Sequence, residues 1–132
     1  MFKISGAYCA VLTPLDNNLS INNNLHLRHC QSLMQKGLDG LTIFGTNGEA
    51  SSFSINQKMH SIEFLLENRI DASNLLIGSG AASLEDAMEL TNFSVKIGAK
   101  ASFVISALSC RSKFILNKRC EFYVFLGDRV FR

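Results

Sequence analysis

Short unbroken apolar runs alternate along this chain with longer stretches whose apolar residues recur every three or four positions. The runs are residues 7–12 (AYCAVL), 41–44 (LTIF), 75–77 (LLI) and 101–105 (ASFVI). Each is too short for a helix and is bounded by turn residues, so each predicts a strand. Thr13-Pro14 stops the first, since proline cannot donate to a ladder, and Asp16-Asn17-Asn18 follows as loop. Three helical patterns fill the gaps. The first spans 22–36, with Leu27, Cys30 and Met34 on one face, Leu33 beside them and Gly37 as its C-terminal cap. The second opens on Ser54-x-x-Gln57, a capping box, and is expected to bury Ile55, Met59, Ile62, Leu66 and Ile70. The third opens on a second such box, Ser83-x-x-Asp86. Ala87, Leu90, Ser94 and Ile97 line it, and Gly98 ends it.

The strands begin near residues 7, 41, 75 and 101, a period of roughly 30 residues. Strands separated by helices imply right-handed crossovers and a parallel sheet. The runs do not alternate apolar with polar, as expected when helices cover both faces of the sheet. The fold class is therefore α/β with the pattern (βα)₃β. Two closures fit: part of a (β/α)₈ barrel, or a doubly wound sheet. A complete barrel takes about 250 residues, and this chain has 132.

Composition sharpens the outline. Apolar residues make up 47% of the chain and charged residues 18%, which favours a core-forming protein over a disordered one. No apolar run reaches the length of a membrane span, and MFKISG lacks the apolar stretch of a secretory signal. Cys9, Cys30, Cys110 and Cys120 form no C-x-x-C pair, so neither a disulfide framework nor a zinc site is indicated. A reducing, cytoplasmic setting is the expectation. Charge is uneven. Residues 1–108 carry seven Lys/Arg against nine Asp/Glu, whereas 109–132 carry six against two. The last 24 residues also hold five of the twelve aromatics and one of the nine glycines. That break divides the chain into 1–108 and a basic, aromatic tail, 109–132.

Gly45-Thr46-Asn47-Gly48-Glu49 follows the second strand, at the face where parallel α/β folds build their sites. Its glycines free the backbone, Thr46 offers a hydroxyl and Asn47 an amide, and the N–H groups of such a loop can hold a carboxylate or phosphate. Gly78-Ser79-Gly80-Ala81-Ala82-Ser83 approximates a dinucleotide fingerprint, but Ser83 replaces the third glycine and Lys100 stands where an acid is needed. His26 and His29 could together touch a metal. With no second cluster to complete a set, they read as surface or half-buried residues, and Cys9 and Cys30 as small core residues.

The 45–49 loop resembles the Gly-Thr-Thr-Gly-Glu signature of the dihydrodipicolinate synthase/N-acetylneuraminate lyase family. Gly6 and Thr13-Pro14, Gly37 and Gly40, Ser54, Ile77-Gly78-Ser79-Gly80 and Gly98-Ala99 fit the same family in order. The likeness covers about residues 4–106 and corresponds to the first third or so of a family member. It implies a (β/α)₈ barrel, commonly homotetrameric, that makes or breaks carbon–carbon bonds beside a pyruvate-type keto acid. In such enzymes a lysine of a later strand forms a Schiff base and serves as the electron sink, so no metal or organic cofactor is implied. The resemblance gives Thr46 a place in a proton relay with tyrosines. It puts Thr46, Asn47 and Gly48 against the keto acid, Asn47 standing where the family usually has a second hydroxyl residue. Glu49 is expected to brace the turn.

The family's tyrosine-bearing fifth strand and the lysine of its sixth would lie beyond residue 132, and Lys113 and Lys118 match no family position. The expectation is a lyase-family chain that is inactive alone, prone to associate because half a barrel leaves edges uncovered. The alternative is a non-catalytic remnant or interaction fragment; a dinucleotide-binding domain is a lesser one. In the tail, residues 123–126 (YVFL) are unbroken and apolar, unlike a solvated nucleic-acid arm, and suggest a poorly packed strand in an otherwise irregular segment. A composition change where the family pattern stops points to a shifted reading frame or a truncation. Neither a nucleic acid nor a membrane is an expected partner.

Overall fold

The computed structural model describes residues 4–104, together with the backbone of two short strands nearer the C-terminus. Four strands form one sheet: β1 (Tyr8–Ala10), β2 (Gly40–Ile43), β3 (Leu75–Gly78) and β4 (Ala101–Phe103). They run parallel in the order β1-β2-β3-β4, with Tyr8 beside Gly40, Leu41 beside Leu75 and Leu76 beside Ala101. One helix joins each neighbouring pair: α1 (Asn23–Gln35), α2 (Ile55–Glu67) and α3 (Leu84–Lys96). The (βα)₃β pattern of the sequence is therefore the architecture. β1, β2 and β4 stop one or two residues earlier than expected, at Ala10, Ile43 and Phe103, and Ile105 lies outside the described residues. The tail is not wholly irregular: β5 (Val124–Leu126) pairs antiparallel with β6 (Arg129–Phe131).

The core lies between sheet and helices. Leu41, Ile43, Leu75 and Ile77 from the two central strands are fully buried, with Val11, Cys30, Ile62 and Leu65 packed around them. Each such aliphatic side chain stabilises the fold by about 1.5–3 kcal/mol relative to exposure. All four residues of β3 are buried, as a strand covered on both faces requires.

The helix boundaries follow their caps. Asn22 accepts from the Leu25 N–H at the start of α1. Ser54 and Gln57 form the full reciprocal box at α2. At α3 only half of the expected box exists: Ser83 Oγ accepts from the Asp86 N–H at 3.0 Å. Gly37 and Gly98 follow α1 and α3 with positive φ, as expected of C-terminal caps.

The buried face of α2 differs from expectation. It consists of Lys58, Ser61, Ile62 and Leu65, while Ile55, Met59 and Leu66 are half-buried. The helix is rotated by about one position because its two inward polar residues find partners. Lys58 Nζ donates to the Gly80 carbonyl at 3.4 Å, and Ser61 Oγ meets His26 Nδ1 at 3.0 Å. On α1, His26 and Cys30 are the fully buried residues, with Leu27, Leu33 and Met34 partly buried against the core.

The candidate site at the end of β2

β2 ends in an uncommon backbone conformation. Phe44 has φ +54°, a left-handed geometry that costs a bulky residue about 1–2 kcal/mol. Its ring compensates: it is 1% exposed and stands edge-on to both His26 and Phe53, with centroids 5.9 and 6.2 Å away. The bend throws residues 45–49 across the C-terminal end of the sheet. There the loop closes on itself. The Gly48 N–H donates to the Gly45 carbonyl at 3.1 Å and the Glu49 N–H to the Thr46 carbonyl at 3.0 Å.

Neighbouring strands clamp the loop. From the end of β1, Thr13 Oγ1 donates to the Gly48 carbonyl at 2.8 Å. A side chain at Gly48 would press on the Val11 carbonyl and the Phe44 backbone. From β3, Gly78 lies against the Phe44 carbonyl so closely that no Cβ fits. From β4, the Phe103 ring reaches Gly45. All four strands thus contribute, and two glycines of the sequence pattern, Gly48 and Gly78, are explained by backbone approach.

Thr46 and Asn47 form the open part of this clamped loop. Both are exposed. Among the described residues, neither their N–H groups nor their side chains have a hydrogen-bond partner. Two successive free N–H groups, a hydroxyl and a carboxamide are therefore presented at one edge, the donor set a carboxylate needs. Gly48 is buried beneath them. Glu49 does not brace the turn through its carboxylate. The residue is exposed, has φ +52° and makes no side-chain cap bond, so the backbone makes the turn by itself.

The GSGAAS segment has a structural role that accounts for its residues. Ser79 is buried at the centre of a hydroxyl cluster. Thr91 Oγ1 lies 2.9 Å and Ser102 Oγ 2.8 Å from its Oγ, which itself donates to the Phe103 carbonyl at 3.3 Å. Ser83 is spent on capping α3. The dinucleotide reading loses its footing here, because Gly78 serves strand–loop packing and Ser79 faces inward.

His26 corrects an expectation: it is 1% exposed rather than half-buried. Burial, and next the charge of His29, holds its imidazole down at about 4, so it is neutral near pH 7. Its Nε2 is buried without a partner. Burial also pushes the Cys30 thiol up to about 12, which makes it an inert core residue. Burial lowers the Lys58 ammonium's pKa, and nearby Asp86 opposes the shift. Among the described residues, no group of three His, Cys, Asp or Glu could hold a metal, and no helix is long and apolar enough to cross a membrane. A hollow of about 360 Å³ lined by Gln31, Met34, Ile70 and Asn74 lies beside the N-terminal end of β3, away from the loop.

Sequence reading found the 45–49 loop but not the polar groups buried behind it. Ser79, Thr91 and Ser102 come from three elements, and nothing in their spacing links them. Thr91 did carry a local signal. Its hydroxyl bonds back to the Ala87 carbonyl at 2.7 Å, a habit of helical threonine that hides polarity inside a core.

Comparison with known proteins places this geometry. The model of the Dihydrodipicolinate synthetase family matches residues 3–108. The 4-hydroxy-tetrahydrodipicolinate synthase of Methanosphaera stadtmanae is 25% identical over 104 residues, covering 79% of this chain and 35% of that protein. The solved N-acetylneuraminate lyase of Proteus mirabilis superposes with a TM-score of 0.68 at 28% identity, over 77% of this chain and 35% of its own. A variant of the 2-keto-3-deoxygluconate aldolase of Sulfolobus solfataricus, solved as a pyruvate complex, shares the fold. Its TM-score is 0.66 at 21% identity, over 74% of this chain and 33% of its own. The chain spans about a third of the length of the curated relatives it matches, so its four-stranded sheet is part of a (β/α)₈ barrel. With four parallel strands, three crossover helices and a glycine-clamped loop in family order, the chain belongs to the dihydrodipicolinate synthetase family.

Proposed function

We propose that this chain forms one wall of a carbon–carbon lyase or aldolase site and binds the carboxylate of a pyruvate-type keto acid through its 45–49 loop. The observation that carries the reading is the pair of free donor residues, Thr46 and Asn47, on a loop clamped by all four strands. In this reading the N–H groups and the Asn47 amide hold the carboxylate. The Thr46 hydroxyl stands beside the keto carbon as a member of a proton relay. Clamping keeps the donors in place before the ligand arrives, which lowers the ordering cost of binding.

Covalent catalysis in this class needs a lysine that attacks the keto carbon, loses water and leaves an imine as electron sink. The described lysines stand elsewhere. Lys36 caps the end of α1, Lys58 and Lys96 are on helices, and Lys100 precedes β4. We therefore assign the described residues the binding part of the chemistry, with no Schiff-base lysine among them, in the cytoplasmic setting read from the sequence. Incubation with pyruvate and borohydride, followed by intact-mass measurement, tests this directly. The expected result is no reduced pyruvate adduct. A stoichiometric adduct on a lysine would overturn the assignment and make the chain a catalyst in its own right.

A further inference from the structure

The sheet has two faces, and the three helices cover one of them. Right-handed crossovers that step in a single direction along β1-β2-β3-β4 place α1, α2 and α3 on the same side. There Leu41, Ile43, Leu75 and Ile77 meet Cys30, Ile62 and Leu65. Strand register puts Ala10, Thr42, Leu76 and Ala101 in one row across the opposite face. Leu12 and Phe103 stand two residues beyond that row and so share its face. In agreement, the Phe103 ring and the Thr42 methyl both border Gly45. None of these six residues is charged, and their exposure falls steadily across the sheet. On β1, Ala10 is exposed and Leu12 just beyond it is 60% exposed; on β2, Thr42 is half-buried; on β3 and β4, Leu76 and Phe103 are each 6% exposed. Neighbours in a row shield a leucine from the sides and leave its top open, so a second layer lies over β3 and β4 and thins toward β1.

We propose that residues 105–132 of the same chain supply this layer, with the β5–β6 hairpin lying over β3 and β4 on the face that the helices leave open. The gradient of burial argues for this occupant. The chain leaves the sheet at the end of β4, and 28 residues follow Val104. A partner from outside could cover either side of the face, whereas cover that is deepest beside the exit from β4 points to the segment that starts there. Composition agrees. Residues 122–126 (FYVFL) and 130–131 (VF) are apolar and bracket the two paired strands. A lone two-stranded hairpin is marginal in water and gains stability by packing on an apolar face. The face gains in turn, because burying Leu76 and Phe103 removes apolar surface from water. Charge does not oppose the contact, since 109–132 carry six Lys/Arg against two Asp/Glu and 1–108 carry seven against nine. In a complete (β/α)₈ barrel this face is the interior, filled by side chains of all eight strands. Here a hairpin of the same chain stands in for the missing strands. The proposal is independent of the keto-acid reading, and a failed pyruvate titration leaves it untouched.

Photo-cross-linking of the full chain tests this. The probe p-benzoylphenylalanine is placed at Phe125 in one variant and at Leu126 in another, because adjacent strand residues lie on opposite faces of a hairpin. The chain is irradiated as an equal mixture of ¹⁵N-labelled and unlabelled molecules, and the adducts are mapped by mass spectrometry. At least one probe should join Thr42, Leu76, Ala101 or Phe103, and each adduct should carry a single isotope. Its yield should be the same from low to molar salt, since the face holds no charge to screen. Mixed-isotope adducts overturn the proposal in favour of a second copy as the occupant. Adducts confined to β1 or to the helices overturn it, as does a yield that collapses with salt, which would mark an electrostatic arm. Nuclear Overhauser contacts of the Leu76 methyls in the unaltered chain give the same answer without a substitution. Contacts to aromatic protons of residues 122–131 are expected, and their absence overturns the proposal.

Discussion

A methyl group at Gly78 would meet the Phe44 carbonyl, and one at Gly48 would press on the Val11 carbonyl. These two residues explain why the 45–49 loop can lie flat on the ends of the strands. Of the two, Gly78 is the stricter. Both glycines face backbone, but a carbon added at Gly78 would overlap the Phe44 carbonyl, whereas at Gly48 it would only be tight against Val11 and Phe44. Gly78→Ala should therefore lower stability by about 1–3 kcal/mol, the usual cost of overpacking, and should displace the loop. Thermal melting reads the first effect. A melting temperature equal to the wild type's would show that β3 and the loop are not in this contact. Both glycines stood out in the sequence because they punctuate strand ends. The contacts that require them did not, since they join residues about 35 positions apart.

Between elements, the α1–α2 contact turns on His26 and Ser61. The folded pKa of His26 is about 4, against an ordinary value of 6.5. Between those values the unfolded chain binds a proton that the folded chain refuses. Stability is therefore fully present above pH 6.5 and falls as pH drops toward 4, by an amount of order 3 kcal/mol at most. Chemical denaturation at pH 7.5 and at pH 4.5 measures the loss. In His26→Leu/Ser61→Val, which replaces the pair with apolar side chains, this part of the loss should vanish. An unchanged acid dependence in the double variant would assign the effect to other groups. The pairing was illegible in the sequence for a definite reason. Periodicity counts histidine, serine and lysine as surface residues, so it rotated α2 toward Met59 and Leu66. The true face was set by partners on α1 and in the loop after β3. Capping at Ser54 is local, and there the sequence was read correctly; at Ser83 the N-cap was read but only half of the expected box exists.

At the scale of the whole molecule, the parallel sheet, its strand order and its three crossovers follow from a repeat that any reader of the apolar runs can find. Barrel membership does not follow from that repeat, because a doubly wound sheet shares the pattern as far as β4. It rests on the 45–49 loop and on the family comparison. The central proposal is that the chain carries the keto-acid wall of a lyase site, with Thr46 and Asn47 as its donors. The most direct measurement is a pyruvate titration of the ¹⁵N-labelled full chain, followed by amide NMR. Saturable shifts confined to residues 45–49 and Thr13 are expected, with the Thr46 and Asn47 amides moving downfield as they take up a carboxylate. Shifts centred elsewhere, or none at saturating pyruvate, would contradict it.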